Sequence, residues 1–318
     1  MKLLVTGASG FVGAALARRL LRDGLAVRGT HRRESPPSIP GIEWLRLPRL
    51  DQPQALREAV SGCDVLVHLA ALAHQTGHVE GRWQEFQHVN VELTRVLART
   101  ARESGVRRFV FVSSVAAVCS QSDAVVDERT SPRPDSDYGR SKLAAEQAIQ
   151  QELQGSGCDW CIVRPPLVYG PGNPGNMARL MRVIERGWPL PVGAIHNRRS
   201  FIYIDNLVDA LSRVALHPAP IASVYFLNDG SDFSTPELIR ALADSMHKRI
   251  RLVAVPVGLL RLLGRVGDLL GGPGGLDSYS VERLVGSMAV SGASFSRDFQ
   301  WRPPVGRDAA IGITGGSV

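Results

Sequence analysis

No stretch of this sequence approaches the roughly eighteen uninterrupted apolar residues that a membrane-spanning helix requires, so no spanning segment is expected. Cysteine is scarce, with four in 318 residues. They are irregularly spaced, and the short apolar run after Met1 and Lys2 is broken by glycines too early to form a cleavable leader. A disulfide-stapled secreted scaffold is thereby set aside in favour of a reducing compartment, the cytoplasm. Cys158 and Cys161 have redox-motif spacing, but Cys161 enters an apolar strand and the pair reads as core filler. A metal site lacks ligands: His74 and His78 stand four residues apart with Gly77 between them and no third ligand in evidence, so His74 is read as a polar lining residue. The 37 basic residues exceed the 30 acidic ones, for a net charge of +7, yet no basic arm or stripe gathers them. That argues against nucleic acid and for small anionic ligands.

What is present is enough hydrophobic residue, 44%, to bury a large core in one α/β unit or two domains. The first thirteen residues organise the rest. Leu3-Leu4-Val5 is a short apolar strand, Gly7-x-x-Gly10-x-x-Gly13 a glycine-rich turn, and Ala14 to Leu21 an amphipathic helix. Strand, tight turn and helix in this order can hold a dinucleotide: Gly7 permits the turn, Gly10 leaves room for a pyrophosphate, and Gly13 allows close helix packing, while the helix N-terminus presents N–H groups to the phosphates. The strand Leu25 to Thr30 is followed by His31-Arg32-Arg33 with no carboxylate before Glu34, which favours NADP(H) over NAD(H), although either arginine alone would suit a solvated loop.

Further strands are expected at Ile42–Leu47, Asp64–Leu69, Phe109–Val112 and Cys161–Val163, with helices at Asp51–Ser61 and Phe86–Ser104. The apolar strands, separated by helices, imply a doubly wound parallel sheet. Ala70 and Ala71 follow one strand and are small enough for a cofactor to cross its C-terminal edge; Ser113 and Ser114 tip the next. Tyr138 and Lys142 lie four residues apart at the start of a helix, on one face, where an ammonium could lower the pKa of a phenol. Arg164-Pro165 ends a strand, and the change of domain is placed near 170, giving units 1–170 and 171–318, with a later strand near 201–204 returning to the first. Asp205 is expected to cap the helix Asn206–Leu216, and the last dozen residues to be frayed. The segment 257–270 reads as an amphipathic helix packed on its own domain, with weak peripheral membrane contact as the lesser alternative.

Together the glycine triplet, Ala70-Ala71, Asn90, Ser114, Tyr138-x-x-x-Lys142 and Arg164-Pro165 resemble the extended short-chain dehydrogenases/reductases, the family of nucleotide-sugar epimerases, dehydratases and ketoreductases. The resemblance implies a Rossmann domain with a smaller, mixed C-terminal substrate domain, and a homodimer formed through helices of the first. It implies that Tyr138 is the acid/base, that Lys142 tunes it and holds the ribose, and that Ser114 hydrogen-bonds the reacting sugar oxygen. The cofactor would lie against Gly7, Gly10, Phe11, Val12, Gly13, Arg32, Arg33, Leu69, Ala70, Ala71, Asn90, Pro165 and Val168. A UDP-sugar would meet His74, Asn176, Arg199 and Arg283. Text around residues 187–191, 197–200 and 234–238 is similar to bacterial UDP-N-acetylquinovosamine and UDP-N-acetylfucosamine 4-ketoreductases of O-antigen and capsule synthesis.

The expected reaction is therefore NAD(P)H-dependent reduction of a UDP-4-keto-6-deoxy-N-acetylhexosamine at C4. The alternatives are a UDP-hexose or UDP-N-acetylhexosamine 4-epimerase with tightly held NAD, and an inactive NADP(H)-binding sensor or structural partner. Three departures from the family pattern matter. Val115 and Ala116 replace the Asp-Glu of 4,6-dehydratases, Val118 replaces a frequent tyrosine and should leave a pocket wall apolar, and Arg49 stands where many members contact adenine through aspartate.

Overall fold

The computed structural model describes residues 1–47, 53–72, 82–269 and 277–316, with the Asn176 side chain excepted. The chain begins with β1 (Lys2–Thr6), α1 (Phe11–Arg22), β2 (Ala26–His31), β3 (Glu43–Arg46), α2 (Pro53–Val60) and β4 (Val65–His68). Next come α3 (Trp83–Phe86), a π-helical segment Gln87–Glu92, α4 (Leu93–Glu103), β5 (Arg108–Val112), β6 (Ser122–Val126), α5 (Asp137–Leu153), β7 (Asp159–Arg164) and β8 (Leu167–Tyr169). The second half contains α6 (Asn176–Glu185), β9 (Arg199–Tyr203), α7 (Ile204–Leu216), β10 (Ala222–Phe226), β11 (Asp232–Phe233) and α8 (Thr235–Ser245). It closes with α9 (Val257–Leu269), α10 (Ser278–Val285), β12 (Met288–Val290), α11 (Ala293–Asp298) and α12 (Arg307–Gly315).

Seven strands form one parallel sheet in the order β10-β7-β5-β4-β1-β2-β3. Its strands are apolar on both faces because both are covered. Leu3, Val5, Val65 and Val67 pack with α1 and α7, whereas Leu4, Leu66, Phe109 and Phe111 pack with α2, α4 and α5. The strand order reverses direction between β1 and β4, and ligands of open α/β sheets bind outside the carboxyl ends at such a point.

The expectation that residues 201–204 return to this sheet is not met. β9 lies in the smaller mixed sheet, ordered β11-β9-β12-β6 with β8 paired to β9, and the strand that returns is β10. β6, from the first half, joins the smaller sheet, so each half contributes to the other's sheet. Strand-length apolar runs carry no label for the sheet they join; pairing does. Helix α7 starts at Ile204 with Tyr203 as its N-cap, placing Asp205 in the first turn rather than at the cap. The expected helix Phe86–Ser104 is interrupted by the π-helical turn carrying Asn90. The C-terminus is not frayed through residue 315: Thr314 and Gly315 in α12 are buried, with Gly315 tight against Ser245 of α8.

The glycine turn is tightly fitted. Gly7 has φ +70°, and a Cβ on Gly13 would lie 2.2 Å from the Gly7 carbonyl oxygen. Backbone on both sides leaves no soft neighbour to yield, so Gly13→Ala is expected to cost about 1–3 kcal/mol through overpacking. Thermal unfolding with and without added NAD should show a lowered midpoint and a smaller rise on adding cofactor.

Candidate active site

Three loops meet at the switch point. Thr6, at the end of β1, accepts hydrogen bonds at Oγ1 from the N–H groups of Leu69 (3.2 Å) and Ala70 (3.3 Å). Gly7 donates to Thr30 Oγ1 at 3.2 Å, which ties the end of β2 to the turn. A Cβ on Gly7 would meet the Ala70 nitrogen at 2.9 Å, so the turn and the Ala70-Ala71 segment lie against each other. Gly10 is exposed at the N-terminus of α1, where no side chain caps the helix and no acidic residue occupies the first turn; Phe11 and Val12 begin that turn. A close backbone approach, an uncapped helix N-terminus and small half-buried residues opposite fit a dinucleotide pyrophosphate. Arg32 and Arg33 are exposed just beyond β2.

Behind this cradle runs a buried polar chain. Thr94 donates to the Asn90 carbonyl (2.7 Å) and so receives the His68 Nε2 proton (2.9 Å), while His68 Nδ1 accepts from Thr6 at 2.6 Å. Burial, with a contribution from the Lys142 charge, lowers the His68 pKa to about 3 and keeps the ring neutral. Asn90 Oδ1 accepts from the Leu72 N–H (2.7 Å), and its Nδ2 donates to the Leu72 carbonyl (3.2 Å) and to Ser141 Oγ (3.0 Å). Ser141 in turn donates to the Tyr138 carbonyl at 2.8 Å. The π-helical turn thus aims Asn90 between the cofactor side and α5, a common use of such bulges. Sequence periodicity gave no sign of the His68–Thr6–Thr94 part, since a histidine inside an apolar strand reads as ordinary core.

Helix α5 carries Tyr138 and Lys142. Ser136 caps it by accepting from the Gly139 N–H at 3.1 Å, and a Cβ on Gly139 would lie 2.2 Å from the Ala116 carbonyl oxygen. That approach seats the first turn of α5 on the turn Val115–Ala117 and brings Ser114 near enough to the Tyr138 phenol to favour its ionisation. Val115 N–H donates to Pro165 O at 3.1 Å, joining the serine loop to the Arg164-Pro165 strand end, with Val168 half-buried on β8 beyond it. Lys142 is buried one turn after Tyr138; its Nζ donates to Val112 O at 2.8 Å and lies 4.1 Å from the centre of the Phe111 ring.

The expectation that Lys142 depresses the phenol's pKa is not met. Burial raises the Tyr138 pKa, with Ser114 opposing it. Burial lowers the Lys142 pKa to about 7, Glu146 pulling the other way. Between pH 7 and the unfolded value near 10.5 the unfolded chain therefore binds more protons at this lysine, so stability should rise with pH across that window and be most penalised below it. Chemical denaturation of wild type and Lys142→Met at pH 7 and pH 9 without cofactor should show the gain in wild type and a reduced gain in the variant.

Sequence reasoning missed a second group on the same helix. Glu146 is one further turn on; it accepts from Ser113 Oγ and from Arg164 Nε (3.0 Å) and Nη2 (2.5 Å), all buried. The four-residue repeat Tyr138, Lys142, Glu146 was the available signal.

Two of the predicted arginines come together. Arg199 is half-buried on β9, donates to the Arg283 carbonyl and, at 3.4 Å, to Gly286 O, and has its pKa lowered to about 10 by burial and the Arg283 charge. Arg283, on α10, lies against the Tyr279 ring. Asn176 opens α6, while His74, His78 and Arg49 fall outside the described residues. Val118 is buried with Val126, Phe226, Met288 and Val290 and therefore presents no wall to an open pocket. Cys158 and Cys161 are buried free thiols whose pKa values burial pushes up, for Cys158 to about 12.

Residues 3–226 match the NAD dependent epimerase/dehydratase family. The chain belongs to that family. UDP-glucose 4-epimerase from Vibrio cholerae is 32% identical over 306 residues, covering 95% of this chain and 90% of the relative. N-acetyl-alpha-D-glucosaminyl-diphospho-ditrans,octacis-undecaprenol 4-epimerase of Escherichia coli O157:H7 is 30% identical over 272 residues, covering 84% of this chain and 79% of the relative. The solved structure of MoeE5 with UDP-glucuronic acid and NAD superposes with a TM-score of 0.79 at 26% identity, covering 100% of this chain and 98% of the other. Membership makes this an enzyme-family chain with an NAD-binding fold. Among the described residues no helix is long and apolar enough to cross a membrane.

Proposed function

We propose that this epimerase/dehydratase-family chain performs redox chemistry at C4 of a diphosphate-linked hexose and runs as a 4-epimerase that retains NAD. The placing of Tyr138 at the start of α5 beside Ser114, at the carboxyl edge of β5 next to the switch point, with Lys142 one turn on, supports the reading. Bound NAD supplies the hydride exchange. Tyr138 takes the proton of the C4 hydroxyl and returns it to the carbonyl oxygen, Ser114 hydrogen-bonds that oxygen, and Lys142, anchored on Val112 O, holds its ammonium one turn away to offset charge on the phenolate. Gly7, Gly10, Gly13, Ala70, Ala71, Asn90 and Pro165 would border the cofactor. Arg199 and Arg283 suit the substrate's diphosphate, whether its carrier is uridine, as in the Vibrio relative's name, or a polyprenol, as in the Escherichia one. Residence in the cytoplasm as a homodimer belongs to the same reading.

The second reading is net reduction of a UDP-4-keto-6-deoxy-N-acetylhexosamine by exchangeable NADPH. What favours it is the exposed Arg32-Arg33 pair, placed for a 2′-phosphate with no carboxylate at the end of β2. Purified protein distinguishes the two. NAD released on denaturation, together with interconversion of UDP-hexoses seen by NMR without added cofactor, supports the epimerase. Stoichiometric NADPH consumption with a UDP-4-keto sugar and no retained NAD would establish the reductase instead.

A further inference from the structure

Helix α9 turns its apolar face away from the protein. At 100° per residue, Leu269, Leu262, Val266, Leu259 and Leu263 fall within one arc of about 120°. All five are exposed, Leu262 by 55% and Leu269 by 86%. The opposite side holds Leu260 and Gly264, which are buried, and Gly264 is so close to α10 that a Cβ would lie 3.0 Å from Ser278 Cα. The helix is therefore fixed by its small face, with the leucines on the outside.

The surroundings are basic. Residues 245–269 contain Lys248, Arg249, Arg251, Arg261 and Arg265 against one acid, Asp268, which lies on the buried side of α9 and accepts from the Ser278 N–H of α10. Arg261 and Arg265 fall between the buried side of α9 and its apolar arc; Arg261 is paired with Glu282 of α10. The segment leading into α9 is bridged at Leu252 to Leu190, two residues after Trp188. Trp188 is itself 57% exposed, with the Arg186 guanidinium 5.2 Å from its ring centre. Leucines on one face, flanking arginines whose heads can reach past apolar stems, and an exposed tryptophan are the composition of an interfacial helix.

We infer that α9 seats this protein on an anionic lipid bilayer, lying in the headgroup plane with its leucines in the acyl boundary. A second copy fits less well: a helix of 13 residues offers a face of roughly 20 by 10 Å, or about 200 Å², against the approximately 800 Å² per partner of a stable protein interface. The basic segment supplies what an apolar protein partner would not select, attraction to phosphate headgroups. This inference stands apart from which sugar is turned over.

Sedimentation of the full chain with vesicles tests it. Wild type should bind phosphatidylglycerol/phosphatidylcholine (1:1) vesicles at least tenfold more than phosphatidylcholine alone, and bind less as salt rises. Leu262→Glu/Val266→Glu should lower binding at least tenfold, and Arg265→Gln to a lesser extent, with thermal unfolding unchanged because the altered side chains are exposed. Failure to bind anionic vesicles at low salt, or equal binding by the double variant, overturns the inference. So does a concentration-dependent oligomer in vesicle-free light scattering that the double variant abolishes, since the face would then belong to a second copy.

Discussion

Tyr138→Phe is expected to lower turnover of the sugar substrate by roughly 10²–10⁴-fold while leaving NAD binding within a few-fold of wild type. The substitution removes one oxygen and keeps the ring, which stands 6.1 Å from Phe86 and is half-buried, so packing is retained. What is lost is the hydroxyl proposed above to exchange a proton with the sugar oxygen. Steady-state kinetics with cofactor titration checks both halves of the expectation. An unchanged rate would remove Tyr138 from the chemistry; retained cofactor binding with no activity in wild type as well would point to the sensor role.

The second large effect concerns Glu146. Its carboxylate and the Arg164 guanidinium are only 2% and 6% exposed and are joined in a fork, with Ser113 on the same carboxylate. Truncating one partner of such a pair leaves an uncompensated buried charge, worth about 3–5 kcal/mol, whereas replacing both by apolar residues of similar volume is often neutral. Glu146→Ala should therefore lower the unfolding midpoint by on the order of 10 °C. The double variant Glu146→Leu/Arg164→Met should recover much of that loss, and differential scanning calorimetry separates the two. A small loss in the single variant would mean that the pair is hydrated and contributes little.

Local features of the site were legible because they depend on neighbours in sequence. Gly7, Gly10 and Gly13 specify a turn through backbone freedom and close approach, and Tyr138 and Lys142 share a face because four residues make about one helical turn. Membership of β9 and β10 was not legible, since an apolar run of strand length does not record its partner, and β9 joined the smaller sheet. The Arg199 and Arg283 pairing was available only by resemblance, because 84 residues separate them along the chain. For α9, the amphipathic pattern could be seen, but the side turned inward was set by the fit of Gly264 against α10.

By itself the sequence determined the alternation of strands and helices, the dinucleotide turn and the one-turn spacing of phenol and ammonium, all consequences of short-range sterics and periodicity. Only the tertiary structure decided the ionisation of Lys142, the neutrality of His68, the union of Glu146 with Arg164 and the outward leucines of α9. Those depend on desolvation and on contacts between distant segments, and burial exists only once the chain has closed around the group.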